Sequence, residues 1–356
     1  MKKFRWKKSA TDAVENESGK NENNKKERGK KGRGKYILIA DNGATKCDWA
    51  AICPGGHVDR FETQGVNLAL SAPDEIVFAA HSAFAQFAAL HASDRLVSLS
   101  TSEDGKTCLT VESVSEIWFY SAGATSGKAV ETLEYAFGFM FPKAVVNVLS
   151  DLLGAARALC GTDPGIVGIL GTGSNSCFYD GKNIVNAGHG GGFILGDEGS
   201  GAWFGKTLLA DYVRNLIPKD MLEPLEKRFS LSYETVIEKV YRSEAPSRYL
   251  ASFFPFIYKW ARPESEGEFD DMEVTVAGQK YAGLFLCEGI MTFFDRCLHY
   301  QDFDFERYPV YLCGSIAWLC RNEIEHRASS LKMTVGKIVK SPIDGLIEYH
   351  MNNESN

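Results

Sequence analysis

The sequence predicts an α/β protein in which one plan is laid down twice. From Tyr36 the elements run strand, strand, strand, helix, strand, helix, strand, helix; from Ile166 the order restarts as strand, strand, glycine turns, helix. In each series the first strand breaks into a short polar turn, Asp41-Asn42-Gly43-Ala44-Thr45-Lys46 and then Gly171-Thr172-Gly173-Ser174-Asn175. Glycine turns bearing hydroxyls present backbone N–H groups at close range, an arrangement that suits anions and phosphate above all.

Each element has a local reason. Tyr36 to Ala40 is a run of apolar residues, Cys47 to Cys53 a second, and Pro54-Gly55-Gly56-His57 turns the chain into Val58 to Thr63. Ala72 to His91 repeats Ile76, Ala80, Phe84 and Phe87 on one helical face. Ile117 to Ser121 is a short strand, Ser126 to Phe139 a helix with a serine cap, and Ala144 to Leu149 a strand that delivers Ser150-Asp151 into a helix ending near Leu159. Ile166 to Leu170 and Ser176 to Tyr179 form a hairpin, followed by the Asp180-Gly181 turn and four glycines in five positions, Gly188 and Gly190 to Gly192. Gly196-Asp197-Glu198-Gly199-Ser200 then leads into a helix. Beyond Lys206 the chain reads as helical, most clearly from Tyr249 to Ala261 and from Glu273 to Tyr300, with the acidic loop Pro263 to Asp271 between. A last strand, Val310 to Cys313, runs into Gly314-Ser315 and a helix; Val335 to Val339 and a short helix after Pro342 close the chain.

Composition narrows the function. A chain of 356 residues with 44% hydrophobic residues has room for two domains and a large core. Residues 1–35 carry a net charge of +8 and the rest −15, so an acidic body argues against nucleic acid as the main ligand. The first 35 residues lack apolar periodicity and are expected to be disordered; a nucleic-acid contact is conceivable for them from charge alone, and a solvated extension is favoured. No apolar stretch marks a secretory signal or a membrane span. Nine cysteines without a Cys-x-x-Cys pair, several in apolar runs, argue for buried thiols in a reducing, cytoplasmic setting and against a zinc or iron–sulfur motif. The seven histidines show no metal-ligand spacing.

Carboxylates stand out at two places, each with a plain alternative. Asp151 sits where a strand ends and a helix starts, a place where ligands gather in α/β sheets but also where an aspartate simply caps the helix. Asp197-Glu198 precede a helix, where they would favour its dipole without any ligand.

The segments ILIADNGATKCDW, TQGVN, SDLLGAARAL, GILGTGSNS, GFILGDEGSGAWFGK, YLCGSIA and SPIDG, in this order from Tyr36 to about Gly345, resemble the BadF/BadG-type ATPase family and its N-acetylglucosamine kinase branch. That family lies within the actin, heat-shock-chaperone and sugar-kinase superfamily. The resemblance implies two ribonuclease H-like lobes, each a mixed five-stranded sheet with flanking helices, closing on ATP and Mg²⁺ in the cleft. On that reading residues 1–35 are a tail, 36–152 the first lobe and 153–356 the second, with the terminal helix free to pack back on the first. Asp41, Gly43, Thr45 and Lys46 match the first phosphate loop, with Asp41 holding Mg²⁺ through water; Gly171, Thr172 and Gly173 match the second; Gly314 and Ser315 fall at adenosine. Asn67, Ser174, Asn175, Asp197 and the loop Gly190, Gly191, Gly192 fall at the sugar, with Asp151 as catalytic base.

Phosphoryl transfer suits these residue types, being mostly positioning and charge neutralisation plus a base at the attacking hydroxyl. Two departures stand out. Ala44 replaces the usual Gly or Ser, which requires a negative φ there. His189-Gly190-Gly191-Gly192 lacks the tryptophan that animal N-acetylglucosamine kinases carry. The expected activity is ATP-dependent phosphorylation of an amino sugar, foremost N-acetylglucosamine at its 6-hydroxyl, by a cytoplasmic homodimer with no membrane contact. The competing expectations are an ATPase that activates a partner enzyme and a non-catalytic sugar or nucleotide sensor.

Overall fold

The computed structural model describes residues 36–69, 71–91, 97–101, 107–124, 127–188, 190–299 and 302–353. The basic segment 1–35, Ser126 and His189 lie outside them.

The doubled plan is present. β1 (Tyr36–Asn42), β2 (Lys46–Ile52) and β3 (Val58–Gln64) form an antiparallel meander. Helix α1 (Pro73–Leu90) follows, and then a separate two-stranded hairpin, β4 (Val97–Thr101) and β5 (Thr107–Val111), which the sequence pattern had not suggested. β6 (Val114–Ser121), α2 (Gly127–Met140), β7 (Val145–Ser150) and α3 (Asp151–Cys160) complete the first series. Its five-stranded sheet has the order β3-β2-β1-β6-β7, with β6 parallel to β1 and β7.

The second series repeats it. β8 (Gly165–Leu170) and β9 (Ser174–Tyr179) pair antiparallel, and a third strand, β10 (Ile184–Ala187), follows the Asp180-Gly181 turn where only glycine turns were expected. With β11 (Val310–Cys313) and β12 (Val335–Val339) they give the order β10-β9-β8-β11-β12, again antiparallel on one side and parallel on the other. Two lobes of one topology follow, as the resemblance implied.

Between β10 and β11 lie α4 (Gly192–Leu195), α5 (Gly201–Val213), α6 (Lys219–Phe229), α7 (Tyr233–Tyr241), α8 (Pro246–Ala251), α9 (Phe254–Ala261) and α10 (Val276–Phe293). The helix expected from Tyr249 to Ala261 is two, because the chain breaks at Ser252-Phe253 and Pro255 fits the opening turn of α9. The helix expected from Glu273 to Tyr300 starts at Val276, with Thr275 as its cap, and gives way to a π-helical turn at Phe294–Leu298. After β11 come α11 (Ser315–Leu319), α12 (Arg321–Ser330) and α13 (Ile343–Asn353).

Each sheet buries its own core. Trp49 stacks on Phe61 and meets Phe119 and Phe137 in the first, while Phe204, Phe254, Phe285 and Phe293 anchor a larger one in the second. Ile343, Leu346 and Ile347 of α13 pack on Ile37, Ile39, Ile52 and Tyr120 of the first sheet, so the end of the chain returns across the molecule. There Arg157 donates to the Tyr120 hydroxyl at 2.9 Å, and that hydroxyl lies 2.9 Å from His350 Nε2. Burial, then the nearby Arg157 charge, push His350 down to about 3, so it is neutral and can accept a hydrogen bond from the Tyr120 hydroxyl.

Candidate functional site

The two polar turns meet. Thr45 Oγ1 from the first lobe and Thr172 Oγ1 from the second lie 3.5 Å apart, although 127 residues separate them in the chain. Gly43 and Thr45 are exposed at the tip of the β1–β2 turn, which closes through Gly43 N–H donating to Lys46 O at 2.9 Å. Ala44 is absent from the described residues with positive φ, so its Cβ costs nothing there. The close approach falls instead on Gly65, which the sequence reading passed over: a Cβ there would stand 2.1 Å from Gly43 O. The second turn is tied down from behind, as Gly201 N and Ala202 N at the start of α5 donate to Gly171 O and Thr172 O at 2.9 and 3.0 Å. Gly314 closes against it with φ +115°, a conformation that a side chain rarely adopts, and a Cβ there would lie 2.1 Å from Leu170 O.

Acidic groups act on one another at the base of the first turn. Asp41, at the end of β1, has its pKa raised to about 7, chiefly by burial and then by the charges of Asp48 and Asp151. Asp151 is also raised by burial, partly offset by the Leu152 N–H that reaches its Oδ1 at 2.8 Å. Ser150 is the residue that caps α3, accepting from Leu153 N at 3.2 Å. The capping task, the plain alternative for Asp151, is therefore filled by its neighbour. Lys46, ion-paired at 2.8 Å with Asp48 and Glu62, offsets less at Asp41 than either Asp48 or Asp151 adds, so the charge around Asp41 is net negative. Hard carboxylate oxygens short of positive charge suit Mg²⁺, so the donor set fits the ion the resemblance implies.

The third cluster borders a cavity of about 630 Å³ in the second lobe. Ser174, Asn175, Gly190, Gly191 and Asp197 line it. Asp197 holds φ 56°, an uncommon value for a residue with a side chain, and its Oδ1 accepts from Ser174 N at 3.1 Å. Burial raises the Asp197 pKa, while the Ser174 N–H and the Lys206 charge lower it.

Two predicted residues stand apart from this cavity. Gly192 is not in its lining, because it opens the single turn of α4, and Asn67 belongs to the first lobe, with its Oδ1 accepting from Ala69 N at 3.0 Å. Asn42 holds the segment before Asn67 by accepting from Val66 N and donating to Val66 O.

Other residues here escaped the sequence reading. The π-helical turn brings Asp295, Arg296 and Cys297 to the cavity; such turns recur at functional sites but leave no residue signature. Arg248 of α8 donates to Ala44 O on the opposite lobe, a link across 204 residues that no local motif announces.

One consequence is measurable without a ligand. A carboxyl whose folded pKa is raised adds stability below its unfolded value and loses it as pH rises toward the folded value. Asp41 should therefore pull the melting temperature of the free protein down between pH 4 and about 7, a contribution that Asp41→Asn lacks. Thermal denaturation across that range checks this; equal slopes for the two proteins would contradict it.

Among solved structures, the chain is similar to a candidate N-acetylglucosamine kinase from Porphyromonas gingivalis, at 32% identity over 89% of this chain and 99% of that one, with a TM-score of 0.72. A candidate N-acetylglucosamine kinase from Chromobacterium violaceum matches at 17% identity over 89% and 99%, with a TM-score of 0.62. MreB5 of Spiroplasma citri bound to ADP matches at 10% identity over 91% and 97%, with a TM-score of 0.51. At these lower identities the likeness concerns the fold. No family model and no curated protein matches the chain. Among the described residues, no helix is long and apolar enough to cross a membrane.

Proposed function

Because this chain belongs to the N-acetylglucosamine kinase-like family of the actin-like ATPase superfamily, we propose that it transfers the γ-phosphoryl group of ATP to the 6-hydroxyl of N-acetylglucosamine. The observation that carries the reading is the meeting of Thr45 and Thr172 from opposite lobes, at turns that follow directly from Asp41 and from Leu170. A site so divided is complete only when both lobes face one ligand, which is the need of a transfer between two substrates.

The residues then take distinct tasks. The Gly43–Thr45 and Gly171–Gly173 turns offer N–H and hydroxyl donors to the phosphates, and Gly314 and Ser315 border the adenosine. Mg²⁺, held near Asp41 through water, would neutralise phosphate charge. Asp151 is anchored through one oxygen by Leu152 N–H, leaving the other to take the proton of the attacking hydroxyl. Its pKa, raised by burial, strengthens it as a base. Asn175 and Asp197 supply the paired polar groups that sugar hydroxyls need, and Asn67 would add a contact from the first lobe once the lobes close on the sugar.

Release of ADP over a panel of glucose, glucosamine, N-acetylglucosamine and N-acetylmannosamine, with Mg²⁺ and ATP, tests the proposal. Turnover stimulated most by N-acetylglucosamine is expected. Stimulation by another sugar would overturn the substrate, and sugar-independent turnover in a brown, iron-containing protein would instead select the activating ATPase.

A further inference from the structure

Away from the cleft, four potential metal ligands gather at the far end of the β2–β3 hairpin. Cys53 follows β2, His57 sits in the turn, Asp59 lies in β3, and His91 ends α1. The Cys53 thiol lies 3.0 Å from Asp59 Oδ2, and His91 Nε2 lies 3.6 Å from the same oxygen. The three ligand atoms all fall within 4.8 Å of one another. His57 Nε2 stands 3.0 Å from the other oxygen, Asp59 Oδ1, on a largely exposed side chain with room to turn.

We propose that Cys53, Asp59 and His91, joined by His57, bind a zinc ion. Bonds of about 2.0 Å to nitrogen and oxygen and about 2.3 Å to sulfur, at tetrahedral angles, place ligand atoms about 3.3–3.5 Å apart. The separations of 3.0 and 3.6 Å from Asp59 bracket that spacing and Cys53 and His91 lie within 4.8 Å of each other, so these three close on the ion while His57 turns in from the surface. One thiolate, two imidazoles and a carboxylate favour Zn²⁺ over the hard ions that phosphate chemistry uses. The turn helps: Cys53 N–H donates to His57 O at 2.7 Å and Gly56 N–H to Cys53 O at 3.0 Å, which keeps both ends of the loop on one side. Binding releases the Cys53 proton, because the thiolate is the ligand.

The site is structural. Seven residues of β2 separate it from the phosphate turn, about 20 Å at the usual rise per residue. Its ligands clip the β2–β3 edge to the end of α1. Spacing alone had argued against such a site, because Cys53-x-x-x-His57-x-Asp59 with a distant His91 follows no common zinc motif.

The test uses the full chain, reduced and stripped of metal, titrated first with Co²⁺ and then with Zn²⁺. One Co²⁺ should bind per chain with an intense sulfur-to-cobalt absorption in the near ultraviolet, displaced by one equivalent of Zn²⁺. Cys53→Ser should lose the band and at least about 10-fold in Zn²⁺ affinity while keeping the wild-type circular dichroism. His57→Ala should keep the band with weaker affinity, and Cys287→Ser, at an exposed thiol elsewhere, should change neither. Zn²⁺ should raise the wild-type melting temperature by several degrees, and that of Cys53→Ser by much less. Absence of the band at stoichiometric Co²⁺, or its survival in Cys53→Ser, would overturn the proposal.

Discussion

Asp151→Asn is expected to abolish nearly all turnover while leaving both substrates bound. Positioned general bases contribute about 10²–10⁴ in rate, and asparagine cannot take the proton of an attacking hydroxyl. Its amide oxygen can still accept from Leu152 N–H, and Ser150 still caps α3, so the fold should be little disturbed. The signature is a collapse of kcat with KM for ATP and sugar within a few-fold of wild type, since the lost interaction belongs to the transition state. Unchanged kcat would reduce Asp151 to a residue of the first helical turn. A matching fall in melting temperature would point to stability instead.

The second large effect is expected at Gly314. A methyl group there would press on the Leu170 carbonyl from 2.1 Å, from a backbone at φ +115° that alanine rarely adopts. Leu170 leads directly into Gly171, so the displacement is delivered to the Gly171–Gly173 turn, assigned in the proposal to the phosphates. Gly314→Ala should raise KM for ATP by about 10-fold or more, an estimate set by the loss of one or two charge-assisted hydrogen bonds. Sugar affinity, assigned in the proposal to Asn175 and Asp197, should change far less. Gly283→Ala is the control, because its Cβ would meet nothing within 4 Å on α10; it should stabilise by about 0.5–1 kcal/mol. Steady-state kinetics on both variants separates the cases. An unaltered KM for ATP in Gly314→Ala would remove that turn from nucleotide binding.

Much of the fold was legible because its strands are apolar and end in marked turns. Tyr36 to Ala40 and Ile166 to Leu170 sit at the centres of their sheets, where near-continuous burial leaves no polar interruption. The β4–β5 hairpin was not legible: Ser98, Ser100, Thr101 and Thr107 dilute the apolar alternation that betrays a strand. β10 spans only four residues after a turn, too few to show a period. The candidate site divides similarly. Asp41, Thr45, Gly171 to Gly173 and Asp151 lie where strands end, so local pattern reveals them. Arg248 and Arg296 reach the cleft and the cavity through helix packing, and Gly65 matters for a backbone approach; a linear reading carries none of this.

The central claim is that both lobes serve one transfer between nucleotide and sugar. Phosphorus NMR of the protein with Mg²⁺, ATP and N-acetylglucosamine tests it most directly. The account predicts a growing phosphate monoester resonance, coupled to the protons on carbon 6 of the sugar, rising in step with ADP. Inorganic phosphate rising in step with ADP, with no sugar phosphate, would show that water is the acceptor and would contradict it.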